Sequence, residues 1–136
     1  MPKVFIPNRG GHDYSDAARF GEIIFITEGL LDPTKTGLMY RQLVHALKDS
    51  RSDDFLLLSG LPILNTMAGA IMGRMHGVLN LLVFHYGEYI QRTFMLDNLI
   101  NAVKALDDAL VKTQTTNEEK QHGSARVCNV KGDNDK

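Results

Sequence analysis

Four short runs of strand-forming residues constrain this chain more than any other feature: Val4-Phe5-Ile6, Glu22-Ile23-Ile24-Phe25-Ile26-Thr27, Phe55-Leu56-Leu57-Leu58, and Val78 to Phe84. They are nearly continuous in apolar character and do not alternate with polar residues. A strand of that kind is buried on both faces, as in a parallel sheet covered by helices. What lies between the runs supports the same reading. Pro7-Asn8-Arg9-Gly10-Gly11 ends the first run in a loop, and Ser15 caps a brief helical turn through Ala17, Ala18 and Phe20 that Gly21 stops. From Thr34 or Thr36 to about Lys48, the apolar residues Leu38, Tyr40, Leu43, Val44 and Leu47 recur at helical spacing.

The third run passes directly into Ser59-Gly60-Leu61-Pro62. Proline fits a first helical turn, Ile63, Met67, Ala70 and Ile71 continue the period, and His76-Gly77 closes the helix. Tyr86-Gly87 predicts a hairpin from the fourth strand into a fifth, Tyr89 to Phe94, antiparallel to it. Leu96, Leu99, Val103, Leu106 and Leu110 then repeat at spacings of three and four, a helix with a narrow apolar seam; it suits a partner helix and hence a homo-oligomer, and the bland account is that it covers one face of its own sheet.

Strands alternating with helices imply parallel pairing through right-handed crossovers. The expected fold is therefore α/β: a small three-layer domain around a mostly parallel five-stranded sheet, with helices on both faces, a last antiparallel hairpin and a C-terminal helix. Residues 1–113 form that single domain. Residues 114–136 carry only Ala125, Val127, Cys128 and Val130 as apolar content and are expected to be a disordered polar tail, since little buried surface offsets the entropy of ordering them.

Composition narrows the function classes. Of 136 residues, 43% are apolar and 23% charged, ordinary values for a globular protein. A net charge of -1 supplies no global basic field, which disfavours nucleic acid as a partner. The lone Cys128 has no disulfide partner, no apolar run has the length of a signal peptide, and the longest apolar stretch, Leu61 to Met72, is broken by Asn65 and Thr66. A cytoplasmic protein without membrane contact is expected. Five histidines, His12, His45, His76, His85 and His122, show no metal-ligand spacing, so neither metal nor cofactor is expected.

Ligands of open α/β sheets sit beyond the carboxyl ends of the strands. The loops at that edge are Pro7 to Tyr14, Thr27 to Pro33, Ser59 to Pro62 and His85-Tyr86-Gly87. In the first, Arg9 can grip phosphate, Asn8 and Asp13 can hydrogen-bond, and Tyr14 can stack on a base. The bland account makes Gly10-Gly11 a surface turn and Asp13 the cap of the next helix. In the third, Gly60 permits close approach, and Ser59 with the free amides of the helix start can hold an oxyanion. The bland account is an ordinary capped turn, since neither a P-loop nor a dinucleotide fingerprint is present. Asn65 lies one turn into that helix, and Tyr86 is a second stacking candidate. His12 and His85 are the proton carriers if the ligand is cleaved; no nucleophile motif accompanies them.

Phe55 to Pro62, the helix bearing Ala70, and Leu81-Leu82-Val83-Phe84 with its hairpin resemble, over residues 55–94, a small family of CRISPR-associated ring nucleases. The resemblance implies a dimer that binds cyclic oligoadenylate at the loop edge. The turn is a residue shorter than in that family, and His85 stands where an acidic residue is expected. The whole chain also resembles short proteins encoded by bacteriophages. The expected function is binding of a phosphate-bearing small molecule, a nucleotide or nucleotide signal, at the carboxyl edge of the sheet. The alternatives are a metal-independent cyclic-oligonucleotide nuclease using the same site, and a protein-protein adaptor or structural subunit without ligand.

Overall fold

The computed structural model describes residues 1–123. Its elements are β1 (Lys3–Arg9), a 3₁₀ turn (Ser15–Arg19), β2 (Glu22–Glu28), α1 (Thr36–Leu47), β3 (Phe55–Leu57), α2 (Pro62–His76), β4 (Val78–His85), β5 (Glu88–Met95) and α3 (Leu99–Gly123). The five strands form one sheet in the order β2-β1-β3-β4-β5. Pairings β1–β2, β1–β3 and β3–β4 are parallel, and β4–β5 is antiparallel. The α/β class, the mostly parallel sheet, the terminal hairpin and the C-terminal helix are as the sequence predicts.

Strand order decides how the faces are covered. The chain steps from β1 outward to β2, then back across β1 to β3 and onward to β4. With right-handed crossovers, the first connection falls on one face and the next two on the other. Packing follows that rule. Tyr14 and Ala17 pack with Val4, Ile6, Phe55 and Leu57, while Met39, Leu43 and Leu47 of α1 and Leu64, Ala68 and Met72 of α2 pack with Phe5 and Leu56. Alternate residues of β1 thus serve opposite layers, the two-residue period of a strand. The outer layers are unequal: two α-helices cover one face, and a 3₁₀ turn with its flanking loop covers the other.

Local chemistry accounts for the element ends. Pro62, which has no amide proton, opens α2 where a proton would lack a partner, and Gly77 ends it in the left-handed region at φ 67°. The β4–β5 turn places both Tyr86 (φ 46°) and Gly87 (φ 87°) in that region, as a two-residue hairpin turn of this twist requires. At the amino edge of the sheet, the buried carboxylate of Asp54 accepts hydrogen bonds from the amides of Lys3 (2.9 Å) and Arg51 (2.7 Å). Both oxygens of that carboxylate are thus satisfied by backbone amides.

The chain divides into a compact unit of Met1–Asp97, which holds the whole sheet, and a second unit from Asn98 onward. Leu96, expected in the last helix, belongs to the first unit: its amide donates to Gly77 O at 2.7 Å. The helical seam therefore begins at Leu99, and Leu99, Val103, Leu106 and Leu110 are all exposed. α3 runs to Gly123, so the first residues of the segment expected as a tail from residue 114 are helical; residues 124–136, with Cys128, lie outside the described residues. Among the described residues, no helix is long and apolar enough to cross a membrane.

Candidate functional site

β1 and β3 are neighbours whose continuations leave to opposite faces, β1 toward the 3₁₀ turn and β3 toward α2. That divergence is the topological switch point at which open α/β sheets leave a crevice, and this strand order places it between β1 and β3. A cavity of about 310 Å³ lies at that edge, lined by His12, Asp13, Tyr14, Leu58, Ser59, Phe84 and Tyr89. Its size falls within the range of small-molecule sites.

The walls are mostly aromatic. Tyr14 is buried, its ring edge-on to Phe25 at 5.6 Å, and its hydroxyl accepts the amide of Gly10 at 3.3 Å. Tyr89 is buried as well and meets Phe84 edge-on at 5.2 Å, its partner across the hairpin. His12 stands 6.1 Å from the Tyr14 ring. The Asp13 Oδ1 accepts the amide of Ser15, two residues on, at 2.9 Å while Asp13 lines the cavity; the cap position of the 3₁₀ turn is Tyr14 instead of the expected Asp13. Backbone and side-chain hydrogen bonds from Ser15 hold the Asp13 carboxyl below its ordinary range. The Tyr89 hydroxyl is pushed up, first by burial and then by the charges of Tyr14, Asp13 and Asp16.

A set of polar ties fixes Ser59, which lines the cavity. Ser59 Oγ donates to Asn8 O at 3.2 Å, and the Ser59 amide donates to Asn65 Oδ1 at 3.2 Å. Asn8 is buried, with Thr27 Oγ1 at 3.0 Å from its Oδ1 and 2.7 Å from Pro7 O. Thr27 has one proton to donate, and the shorter distance favours Pro7 O. Gly60 sits at φ 65°, and a Cβ there would lie 3.2 Å from Asn8 Cβ, so the turn into α2 is closed tightly over β1. The Leu64 and Asn65 amides donate to Leu61 O, whereas the amides of Gly60, Leu61 and Ile63 make no hydrogen bond among the described residues. Free amides at a helix start carry the positive end of its dipole.

Of the residues expected at the site, His12, Asp13, Tyr14 and Ser59 line the cavity; Asn8, Gly60 and Asn65 do not, but Asn8 and Asn65 hydrogen-bond to Ser59 and Gly60 packs against Asn8. Arg9 stands apart from the lining: its guanidinium lies 4.7 Å over the Phe25 ring and 3.7 Å from Glu28, both ends of that ion pair exposed. Tyr86 is almost fully exposed at the hairpin tip, its ring 4.2 Å from His85, and neither lines the cavity. Sequence reasoning missed Leu58, Phe84 and Tyr89. The hairpin itself pointed to the last two, because it pairs Phe84 with Tyr89 on the second rung from its turn. A second cavity of about 450 Å³ lies between α1 and α2, walled by Tyr40, Val44, Met67, Ile71 and Met75, with Arg74 as its one charged residue. Among the described residues no group of three histidine, cysteine or acidic side chains is placed to hold a metal ion.

The family model of the phage Pam3 gp32-like protein matches residues 2–96. The chain belongs to that family. The matched span coincides with the compact unit Met1–Asp97, so the match covers the sheet, α1 and α2, and α3 falls outside it. The resemblance to bacteriophage proteins is thereby established at the level of the family. No curated protein and no solved structure matches the chain.

Proposed function

We propose that this member of the phage Pam3 gp32-like family binds a phosphate-bearing small molecule, a nucleotide or nucleotide signal, at the carboxyl edge of its sheet. The observation that carries the reading is the coincidence of the aromatic cavity with the β1/β3 switch point. The cavity takes the base against Tyr14, Phe84 and Tyr89. The phosphate lies toward the Ser59–Gly60 turn, where the unengaged amides at the start of α2 favour an anion; Arg9, outside the lining, adds a cation by leaving its exposed pair with Glu28. Cleavage of a cyclic oligonucleotide, the finer reading from the ring-nuclease resemblance, has less support, because of its two proton carriers only His12 lines the cavity. The exposed seam of α3 favours assembly with a second copy, as its spacing predicts.

The test is a thermal-shift panel of mono-, di- and cyclic nucleotides, with mass spectrometry of an acid extract of the purified protein. A bound or stabilising nucleotide supports the reading. A clean extract and a flat panel refute it and favour the adaptor, for which the apolar cavity between α1 and α2 is the structural feature in support.

A further inference from the structure

The carboxyl edge of the sheet joins two unlike electrostatic environments. Around the start of α2 donors prevail, since the amides of Gly60, Leu61 and Ile63 have no acceptor among the described residues. Inside the cavity the balance is reversed. Asp13 is the only formally charged side chain among the lining residues, and its ordinary proton affinity is further weakened by the hydrogen bonds from Ser15. Arg19, the cation of the adjoining 3₁₀ turn, is already engaged: its Nη2 donates to Tyr89 O at 2.6 Å, and its guanidinium pairs with Asp16 at 3.6 Å and Glu88 at 3.8 Å. A ligand group entering the cavity therefore meets aromatic faces, hydroxyls and one uncompensated carboxylate.

We infer that the cavity selects a guanine base over adenine, with the Asp13 carboxylate accepting from the ring N1–H and the exocyclic amino group of guanine. This rests on the nucleotide reading above and specifies its base. A carboxylate is acceptor-only and has two oxygens with spare lone pairs, so it matches an edge that presents two adjacent donors. Adenine presents one donor beside an unprotonated ring nitrogen, whose lone pair opposes a carboxylate oxygen. The Ser15 amide, which donates to Oδ1, and the Ser15 hydroxyl take two of the carboxylate's roughly four acceptor positions and leave the others available. The Tyr14 hydroxyl accepts from Gly10 and so retains its own proton for an acceptor such as guanine O6. Stacking on Tyr14, Phe84 and Tyr89 serves every base alike, which leaves discrimination to the carboxylate.

The experiment uses the full chain and its Asp13→Asn variant, with guanosine, adenosine, GMP and AMP as probes, by saturation-transfer NMR for the nucleosides and calorimetry for the nucleotides. Asparagine also caps helical turns, so the variant keeps the Ser15 tie while its amide carries both a donor and an acceptor. Expected is a preference of about tenfold or more for guanosine over adenosine and for GMP over AMP, as a charge-assisted hydrogen bond at an exposed site provides. In Asp13→Asn the preference falls to about twofold or reverses, because a side-chain amide pairs well with adenine. Equal binding of the two nucleosides, a preference that survives in Asp13→Asn, or no binding of either nucleoside overturns the inference. GMP binding no tighter than guanosine would remove the phosphate half of the nucleotide reading and leave the base assignment standing. GMP and AMP bound equally tightly would do the reverse.

Discussion

Replacing Gly60 with alanine probes the turn on which the whole crevice depends. Gly60 sits at φ 65°, where an L side chain is strained by roughly 1–2 kcal/mol. The new Cβ also lies 3.2 Å from Asn8 Cβ and 3.4 Å from Asn8 Nδ2, inside the ~3.5–4.0 Å optimum for carbon contacts. Asn8 has little room to yield, because it is buried, its carbonyl accepts Ser59 Oγ, and its amide sits against Thr27. The crowding adds about 1 kcal/mol, within the usual cost of overpacking. The sum is roughly 2–3 kcal/mol, which for a domain of this size lowers Tm by about 10–20 °C. Gly87→Ala is the control: φ is 87° and no atom lies within 4 Å of a Cβ, so it carries strain alone. Urea unfolding followed by circular dichroism should rank Gly60→Ala below Gly87→Ala, and Gly87→Ala below the parent. Gly60→Ala matching Gly87→Ala would show that Asn8 gives way, and the tight closure of the turn would be refuted.

Other outcomes follow from the same contacts. Ser59→Ala removes one partly buried hydrogen bond to Asn8 O and should cost about 0.5–1.5 kcal/mol in stability, with a roughly 5- to 100-fold loss of nucleotide affinity by calorimetry. Arg9→Ala should leave stability within about 1 kcal/mol, since its ion pair with Glu28 is exposed, while weakening GMP more than guanosine. The carboxyls of Asp13 and Asp32 are held below their ordinary value of 3.8 by hydrogen bonds from Ser15 and Thr34, so what they add to stability is fully present above the unfolded value and lost as pH falls through the folded values. Through these two groups urea midpoints should stay level between pH 7 and pH 5 and should decline below about pH 4. A chain ended at Asp97 keeps both core clusters and should melt as the full chain does, whereas Val103→Asp with Leu106→Asp should give a folded monomer by light scattering if the α3 seam joins two copies.

Much of the fold was legible in the sequence because its signals are local. Pro62 at a helix start, Gly77 at a helix end, Tyr86-Gly87 at a hairpin, and the unbroken apolar run Phe55-Leu56-Leu57 each act within a few residues, and each element formed where its signal lay. The carboxyl edge was legible too, since any parallel sheet gathers its β-to-α loops on one side, and this gathering brought Asp13 and Tyr14 beside Ser59. What the sequence by itself determined was therefore the set of elements, their hand of connection and the edge to search.

The tertiary structure decided the rest. Nothing in the run Val4-Phe5-Ile6 says that β2 lies outside β1, yet that order creates the β1/β3 switch point and puts α1 and α2 together on one face. Asn8 and Ser59 are 51 residues apart in the chain and meet only because β1 and β3 are neighbours. Phe84 and Tyr89 became cavity walls through the register of the hairpin on a face left with a single 3₁₀ turn, while Arg9, expected in a phosphate-gripping loop, became the last residue of β1 and lies against Phe25 and Glu28. Local propensity is decided by dihedral preferences and hydrogen bonds between near neighbours in the chain. Strand order and side-chain assembly are decided by which distant apolar faces bury one another best, a competition among all elements at once that no window of the sequence contains.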